Sequence, residues 1–251
     1  MRLPAAACNL VGLKPTYGLV SRAGVLSAGY SLDHVGPFGR TVADVAAYLQ
    51  VVAGPEDRDP AGTRYPVPDY SVDLERGVKG MRIGVPLTQP SELIDREMRT
   101  AFEAAIAVLE GEGARIVEID VPDHLLSRTC MWAISASELA ESHREWLQTR
   151  ADDYSPTVRG LIKQGAFLPA TEYIRAQRVR QKIILAYEAV MKQVELIAMP
   201  VVPFPAWTIG SQEITIGNSR ENLMGCLTRY CPPFNITGMP AVSVPNGFSS
   251  S

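Results

Sequence analysis

Serine and histidine side chains are the groups of this chain best suited to nucleophilic or acid–base chemistry, but none stands in a recognised catalytic pattern. No serine lies in a Gly-x-Ser-x-Gly elbow, so the sequence does not predict an α/β-hydrolase. No His-Glu-x-x-His pair occurs, and we therefore predict no metal site. We interpret His34, in an Asp-His-Val-Gly-Pro turn, as structural. The residues considered are Ser21, Ser27, Ser31, Ser243, His34, His124 and His143.

Cysteine spacing and glycine patterns exclude two further kinds of site. Cys226 and Cys231 are not separated by the two-residue gap of a zinc knuckle, and no histidine stands near them. We predict that these cysteines, with Cys8 and Cys130, are buried free thiols. Neither Gly-x-x-x-x-Gly-Lys-[Ser/Thr] nor Gly-x-Gly-x-x-Gly occurs, so the sequence predicts no phosphate-binding loop. No metal or organic cofactor is expected.

Residues 1–40 form the most unusual stretch of the chain, because Gly and Pro interrupt short apolar runs and no helical period is visible. Gly permits positive φ and close backbone approach, while Pro fixes φ. We therefore predict a tightly constrained, largely buried coil with short strands. Long irregular segments of this kind are usually functional.

Several blocks of the chain resemble the amidase signature family. In that family a Gly-Gly-Ser, apolar residue, Arg, x, Pro-Ala block is followed by Gly-Leu-Lys-Pro-Thr and Ser-Leu-Asp-x-x-Gly-Pro. The chain matches these with Met1–Lys14, Pro15–Gly18 (PTYG) and Ser31–Pro37 (SLDHVGP). The blocks Arg229–Gly238 and Met239–Pro245 also resemble the family, whereas residues 88–165 do so weakly.

The resemblance implies carboxamide hydrolysis by a Ser–cis-Ser–Lys triad that forms an acyl-enzyme. If Arg2 is the arginine of the motif, the nucleophilic serine belongs immediately before Met1, and the bridging serine, the catalytic lysine and the oxyanion loop belong further upstream. We thus expect a single incomplete amidase domain over residues 1–251, truncated at both ends. None of the catalytic residues is expected within it. Such a chain is expected to be inactive on its own and to aggregate or remain partly molten.

Arg2 and Asp33 correspond to the arginine and aspartate of the family motifs. A guanidinium offers five donors in a rigid fork, which suits a carboxylate and loop carbonyls. The resemblance therefore implies a buried pair that supports the nucleophile turn; in the alternative, Asp33 caps its own turn. The family region that shapes the acyl pocket aligns with a helix carrying Met131, Trp132 and Glu138, which we predict to line a substrate pocket.

The elements that position these residues are predicted from periodicity and caps. Thr41–Ala53 is predicted to be a helix with Thr41 as N-cap. A strand at Met81–Pro86, a helix capped by Asp95 and a strand at Arg115–Val121 predict a parallel βαβ unit. The fold class is α/β, with three layers and a mixed, largely parallel central sheet between helices. Further helices are predicted over Asp123 to Arg150, Ser155–Lys163 and Thr171–Glu195, with a short strand at Leu196–Met199.

Composition limits the partners. The chain has 251 residues, 46% hydrophobic and 20% charged, with a net charge of −3. This gives no electrostatic reason to expect nucleic acid or an anionic membrane, and we interpret the basic residues of 175–182 as a solvated helix face. We expect a cytoplasmic enzyme acting on a small amide, without nucleic acid or membrane, and with a homo-oligomer or amidotransferase subunits as partners. Two alternatives stay open: the glutaminase (A) subunit of an aspartyl/glutamyl-tRNA amidotransferase, and a non-catalytic truncated or split-gene product.

Overall fold

A computed structural model describes residues 1–86, 93–122 and 124–250. The predicted α/β class is confirmed. The helices in this part of the chain are Arg2–Ala7 (α1), Val42–Val52 (α2), Arg96–Gly111 (α3), His124–Ser142 (α4), Arg144–Thr149 (α5), Pro156–Ala166 (α6), Ala170–Met191 (α7), Leu223–Leu227 (α8) and Pro232–Ile236 (α9).

The strands of the described residues pair in three small sheets. An antiparallel sheet has the order β2-β1-β8, a parallel sheet the order β4-β3-β5, and β6 and β7 form a hairpin. The parallel pairing of the sequence prediction is thus seen in one of these sheets. The strands are Val11–Lys14 (β1), Phe38–Gly39 (β2), Arg82–Pro86 (β3), Arg115–Ile119 (β4), Leu196–Ile197 (β5), Glu213–Ile216 (β6), Ser219–Asn222 (β7) and Ala241–Ser243 (β8).

Helix starts follow the predicted caps. Thr41 and Asp44 form a complete capping box at the start of α2, in which each side chain accepts from the other's backbone N–H. Asp95 accepts from the N–H of Glu97 at the start of α3, and Ser155 accepts from Val158 at the start of α6. The βαβ unit is confirmed, since β3 pairs with β4 in parallel over five residues on each strand. Asp123, the predicted start of the next helix, lies outside the described residues.

Several short elements were not expected, among them α1 and the β6–β7 hairpin. Residues 2–7 form α1, although residues 1–40 show no helical period. The segment holds three alanines in a row, so it carries no amphipathic pattern, and Pro4 falls in the first turn, where no intrahelical N–H donor is needed. The β6–β7 hairpin turns at Gly217, which has φ 58°, a left-handed value that suits glycine.

The main core lies where α4 and α7 pack against α9 and the turn before β2. Cys130, Ile134, Ile183 and Tyr187 are buried there beside Leu32 and Ile236. A second cluster joins β4 to the end of α7 through Ile119, Val190 and Val194. Consequently α7 contacts both the parallel sheet and the irregular N-terminal segment. Among the described residues, no helix is long and apolar enough to cross a bilayer.

Candidate active site

The start of α1 packs closely against β1 and the turn at residues 31–37. A Cβ atom on Gly36 would lie 2.3 Å from the carbonyl oxygen of Leu13 and 2.5 Å from Met1 Sδ. A Cβ atom on Gly12 would lie 2.4 Å from the Cβ of Ala5 and 3.0 Å from the Met1 carbonyl oxygen. Glycine is therefore required at both positions for the backbone to come this close. These two glycines bring the motif blocks of the sequence together around residue 1.

Arg2 is buried, with 7% of its surface exposed, and reaches α9. Its Nη2 donates a hydrogen bond to Oδ1 of Asn235, and its guanidinium carbon lies 5.5 Å from the centre of the Phe234 ring. Burial lowers the pKa of Arg2 from its ordinary value. Arg2 thus ties the first turn of α1 to a helix more than two hundred residues later in the chain.

Asp33 caps its own loop. Its Oδ2 accepts from Ser27 Oγ at 3.0 Å and from the backbone N–H groups of Ala28 at 2.8 Å and Gly29 at 3.0 Å. Within the described chain no hydrogen bond or ion pair joins Asp33 to Arg2, so the two side chains do not form the direct pair that the motif comparison predicted. Asp33 has three local donors instead, and Arg2 has an amide partner. Their support of a nucleophile turn stays a prediction.

Lys14 is the most deeply buried charged side chain near this turn, at 1% exposure. Its Nζ lies 2.9 Å from the Pro15 carbonyl oxygen and 3.0 Å from His34 Nε2. The other ring nitrogen of His34, Nδ1, lies 2.7 Å from the Leu32 carbonyl oxygen. A carbonyl oxygen only accepts, so Nδ1 carries the proton and donates it, which leaves the Nε2 lone pair to accept from Lys14.

Burial is the main cause of the lowered pKa of both Lys14 and His34. It lowers the pKa of Lys14 to about 7, with the nearby Arg2 cation as a second cause. It also lowers the pKa of His34 to about 4, with Lys14 as the next cause. A neutral imidazole with a defined tautomer is therefore the form present at neutral pH. This agrees with the interpretation of His34 as a structural residue of its turn.

A second polar network connects the same turn to α4 and α7. Glu138 accepts from the Ser31 N–H at 2.8 Å, from Ser31 Oγ at 2.7 Å and from the Tyr173 hydroxyl at 3.1 Å. Arg180 donates to Ser31 Oγ, to the Ser31 carbonyl oxygen and to the Ile236 carbonyl oxygen. The interpretation of residues 175–182 as a solvated basic face is therefore wrong for Arg180, which points inward, whereas Arg175, Arg178 and Lys182 are exposed.

The three predicted pocket residues lie on α4 but have different surroundings. Met131 packs against the main core, Trp132 is 42% exposed, and Glu138 is held by Ser31 and Tyr173. Neither of the two cavities that flank β5 is lined by any of them. The substrate pocket at Met131, Trp132 and Glu138 stays a prediction.

The two cavities lie on either side of β5. The larger, about 450 Å³, is bounded by the apolar face of α3, by β5 and by the segment after β8. The smaller, about 330 Å³, lies between β5 and β8 and reaches Arg2. Its charged lining residues are Arg2 and Glu195, and each is already bonded, to Asn235 and to Arg82 respectively. The surface next to Arg2 is thus mainly apolar.

The cysteines of the described chain are free, and within the same residues no cluster of His, Cys, Asp or Glu side chains could hold a metal ion. Cys130, Cys226 and Cys231 are buried as predicted, but Cys8 is exposed at the end of α1. Burial raises the pKa of Cys130 and of Cys226 to about 11. These thiols are consequently poor nucleophiles at neutral pH.

Comparison with known proteins decides the family. The family model described as Amidase matches residues 1–251. The chain belongs to the amidase family. Among curated relatives of this family, an amidase of Pseudomonas putida is 39% identical over 99% of the chain and 54% of its own length. The glutamyl-tRNA(Gln) amidotransferase (A) subunit of Myxococcus xanthus is 36% identical over 100% of the chain and 56% of its own length.

Solved amidase-family structures share this fold. A crystal structure of an amidase superposes with a TM-score of 0.86 at 26% identity, covering 100% of the chain and 54% of that protein. The glutamyl-tRNA(Gln) amidotransferase (A) subunit of Thermotoga maritima gives 0.83 at 30% identity, covering 99% of the chain and 53% of that protein. The chain spans about half the length of the relatives it matches.

Reasoning from the sequence alone missed several residues of the site, among them Lys14, Asn235 and Arg180. Asn235 was noted only as part of the closing motif, and Arg180 was placed on a solvated face. The available signal for Arg180 was its position three residues from Ile183 and four from Ala176, on the apolar stripe of α7. For Asn235 the sequence holds no signal of its partner, because Arg2 is 233 residues away.

Proposed function

We propose that this chain is part of an amidase that hydrolyses carboxamides through an acyl-enzyme. Its residues support the backbone turn that carries the nucleophile. In this proposal the nucleophilic serine stands immediately before Met1. Its hydroxyl oxygen attacks the amide carbonyl carbon while its proton passes through the bridging serine to the upstream lysine. The amine leaves with a proton, and water then hydrolyses the acyl-enzyme.

The observation that carries the proposal is the convergence of three motif blocks at the start of α1. Gly36 lies against Met1, and Arg2 lies against Asn235. The Asn235 Nδ2 group in turn donates to the Leu32 carbonyl oxygen at 3.1 Å, which closes a ring of contacts. A nucleophile placed before Met1 would thus be joined to a residue that packs against Gly12 and Gly36 and precedes the bonded Arg2. Fixed geometry at the reacting group is the main structural requirement of covalent catalysis.

The chain contributes support rather than reacting groups in this proposal. Within the described chain, no hydrogen bond joins the side chain of a serine considered above to a lysine or a histidine: Ser31 donates to Glu138 and accepts from Arg180, and Ser27 donates to Asp33. Oxyanion stabilisation alone typically supplies several kcal/mol of transition-state binding. Without nucleophile, base and oxyanion donors, residues 1–251 alone are expected to show no turnover.

The test compares two proteins on the same substrates. The 251-residue chain and a version extended upstream through the expected triad region are incubated with aryl and aliphatic amides and with a fluorophosphonate probe. We expect turnover and probe labelling in the extended protein only. Labelling of the 251-residue chain at one serine, with turnover, would show that the nucleophile lies within it. An extended protein that neither turns over amides nor reacts with the probe would overturn the proposal.

A glutaminase subunit of a tRNA-dependent amidotransferase is the second candidate, because such subunits are prominent among the relatives. It requires partner subunits and a site for the charged ammonium and carboxylate groups of free glutamine. The cavity beside Arg2 offers few free charged groups, since Arg2 and Glu195 are bonded elsewhere. A substrate that occupied this cavity would therefore be an uncharged amide. Hydrolysis of glutamine by the extended protein, stimulated by partner subunits, would favour the second candidate.

A further inference from the structure

The proposed function does not explain why the amine of Lys14 is buried. It is 1% exposed on β1, the central strand of the antiparallel sheet, yet no carboxylate bonds to it in the described chain. Burying an amine without an acidic partner is costly unless hydrogen bonds satisfy it. Its two acceptors are the Pro15 carbonyl oxygen and the Nε2 atom of His34. An uncharged alkyl side chain would fill the same space at lower cost, so the retained amine points to a role for its hydrogen bonds.

The hydrogen bonds of Lys14 continue to the start of α1. His34 Nδ1 donates to the Leu32 carbonyl oxygen at 2.7 Å, and Asn235 Nδ2 donates to the same oxygen at 3.1 Å. Asn235 Oδ1 then accepts from Arg2. A continuous path thus runs from Lys14 through His34, Leu32 and Asn235 to Arg2. The Leu32 carbonyl oxygen thus accepts two hydrogen bonds, which hold the 31–37 turn in a defined position against α9.

Packing makes this path rigid. The His34 ring stands edge-on to Tyr17 with ring centres 5.4 Å apart, and Gly36 leaves no room between Leu13 and Met1. In the described chain, no carboxylate hydrogen-bonds to Lys14, His34, Asn235 or Arg2. The path therefore holds two basic side chains next to residue 1 without a counter-ion. Lys14 and Arg2 donate hydrogen bonds to neutral oxygen and nitrogen acceptors instead of forming an ion pair.

We propose that Lys14 and His34 are positioning residues, which act through Leu32, Asn235 and Arg2 to hold the start of α1 against the 31–37 turn. This rests on the proposed function, in which the nucleophile precedes residue 1. Neither side chain touches the reacting atoms. A displacement of about 1 Å at a reacting group costs on the order of 100-fold in rate, so loss of this path acts on the chemical step. The charged and titratable groups that face Lys14 and His34 are each other, Arg2 and, for His34, also Arg22 and Tyr17.

The activity test uses Lys14→Met, which keeps the length of the side chain and removes the donor, and His34→Gln. Both are made in the extended, active protein. We expect kcat and the fluorophosphonate labelling rate to fall about 10- to 100-fold, with KM changed less than about threefold. The matched control is His143→Gln, which removes another buried imidazole, one bonded to Tyr154 and to the Ser27 carbonyl oxygen. It should cost stability and leave the labelling rate within about twofold.

A second measurement does not depend on activity. In the extended protein, nitrogen-15 NMR should show His34 as the Nδ1–H tautomer at neutral pH. Lys14→Met should shift the Asn235 side-chain amide and the Arg2 Nε–H signals and speed their hydrogen exchange, whereas His143→Gln should not. Unchanged Asn235 and Arg2 signals in folded Lys14→Met would overturn the positioning role. If the extended protein is inactive but these signals move as expected, the proposed function fails while the path from Lys14 to Arg2 stands.

Discussion

Arg180 and Ser31, 149 residues apart, are joined by two hydrogen bonds: Nη1 donates to Ser31 Oγ at 2.9 Å and Nη2 donates to the Ser31 carbonyl oxygen at 3.0 Å. The Nε group of Arg180 donates to the Ile236 carbonyl oxygen at 2.8 Å. One guanidinium on α7 therefore holds both the irregular N-terminal segment and the end of α9. Its rigid fork is suited to such a three-way contact, whereas a lysine presents a single point charge.

Arg180→Ala is expected to lower the free energy of unfolding by about 2–4 kcal/mol, because three acceptors lose a charged donor. Arg180→Lys should recover less than half of this loss, since one ammonium cannot reach three separated oxygens. Urea denaturation of the extended protein and its variants, with a tertiary-structure probe, measures both. Arg178→Ala, an exposed arginine on the same helix, is the control and should stay within about 0.5 kcal/mol. Equal losses for the two alanine variants would contradict the inward role of Arg180.

The stability of the chain is expected to depend on pH in two windows. The pKa of His34 is lowered to about 4, so the unfolded state binds an extra proton between that value and its ordinary pKa of 6.5. The free energy of unfolding therefore rises with pH across this window, by on the order of 3 kcal/mol. For Lys14, whose pKa is lowered to about 7, the same argument gives a second rise between pH 7 and 10.5.

Denaturation profiles of the extended protein from pH 4 to 10 measure these slopes. His34→Asn keeps a donor near the Leu32 carbonyl oxygen and should flatten the acidic window, and Lys14→Met should flatten the alkaline one. Because Lys14 also lowers the pKa of His34, Lys14→Met should narrow the acidic window as well, whereas His34→Asn should leave the alkaline window in place. Wild-type slopes retained in both variants would assign the pH dependence to other groups.

Gly36→Ala is expected to destabilise the protein by about 3 kcal/mol or to prevent folding. The added Cβ would lie 2.3 Å from the Leu13 carbonyl oxygen, a backbone atom that cannot move without shifting β1. Gly111→Ala at the end of α3 is the control, since a Cβ there meets no atom within 4 Å. In a helix that change should be neutral or stabilising. Thermal melting of the two variants compares them, and a Gly36→Ala protein as stable as Gly111→Ala would refute the close packing at residue 1.

Trp132→Ala, made in the extended protein, is expected to alter the preference between aryl and aliphatic amides, as kcat/KM ratios, by about tenfold or more. Its melting temperature should change little, because Trp132 is 42% exposed and makes no large contribution to the core. Trp146→Ala, at 39% exposure on α5, is the matched control and should leave the preference unchanged. A large fall in melting temperature with an unchanged preference would make Trp132 a packing residue instead.

Local signals in the sequence predicted the elements well where caps and periodicity agreed. Thr41 with Asp44, and Asp95 before an apolar stripe, set the starts of α2 and α3 because a cap involves only neighbouring residues. The site was predicted less well. Arg2 was expected to bond with Asp33, but its partner is Asn235. The packing of α9 against the turn brings Arg2 and Asn235 together. Residue types alone do not predict a contact between residues so distant in sequence.

Cys8, which ends α1, gives experimental access to the region around residue 1. All four cysteines lie in the described residues, and Cys8 is the exposed one. Because burial raises the pKa of Cys130 and Cys226, a maleimide fluorophore at neutral pH should attach selectively to Cys8 in the folded protein. A dye there reports movements of α1 without any engineered cysteine, and labelling beyond one equivalent measures global opening.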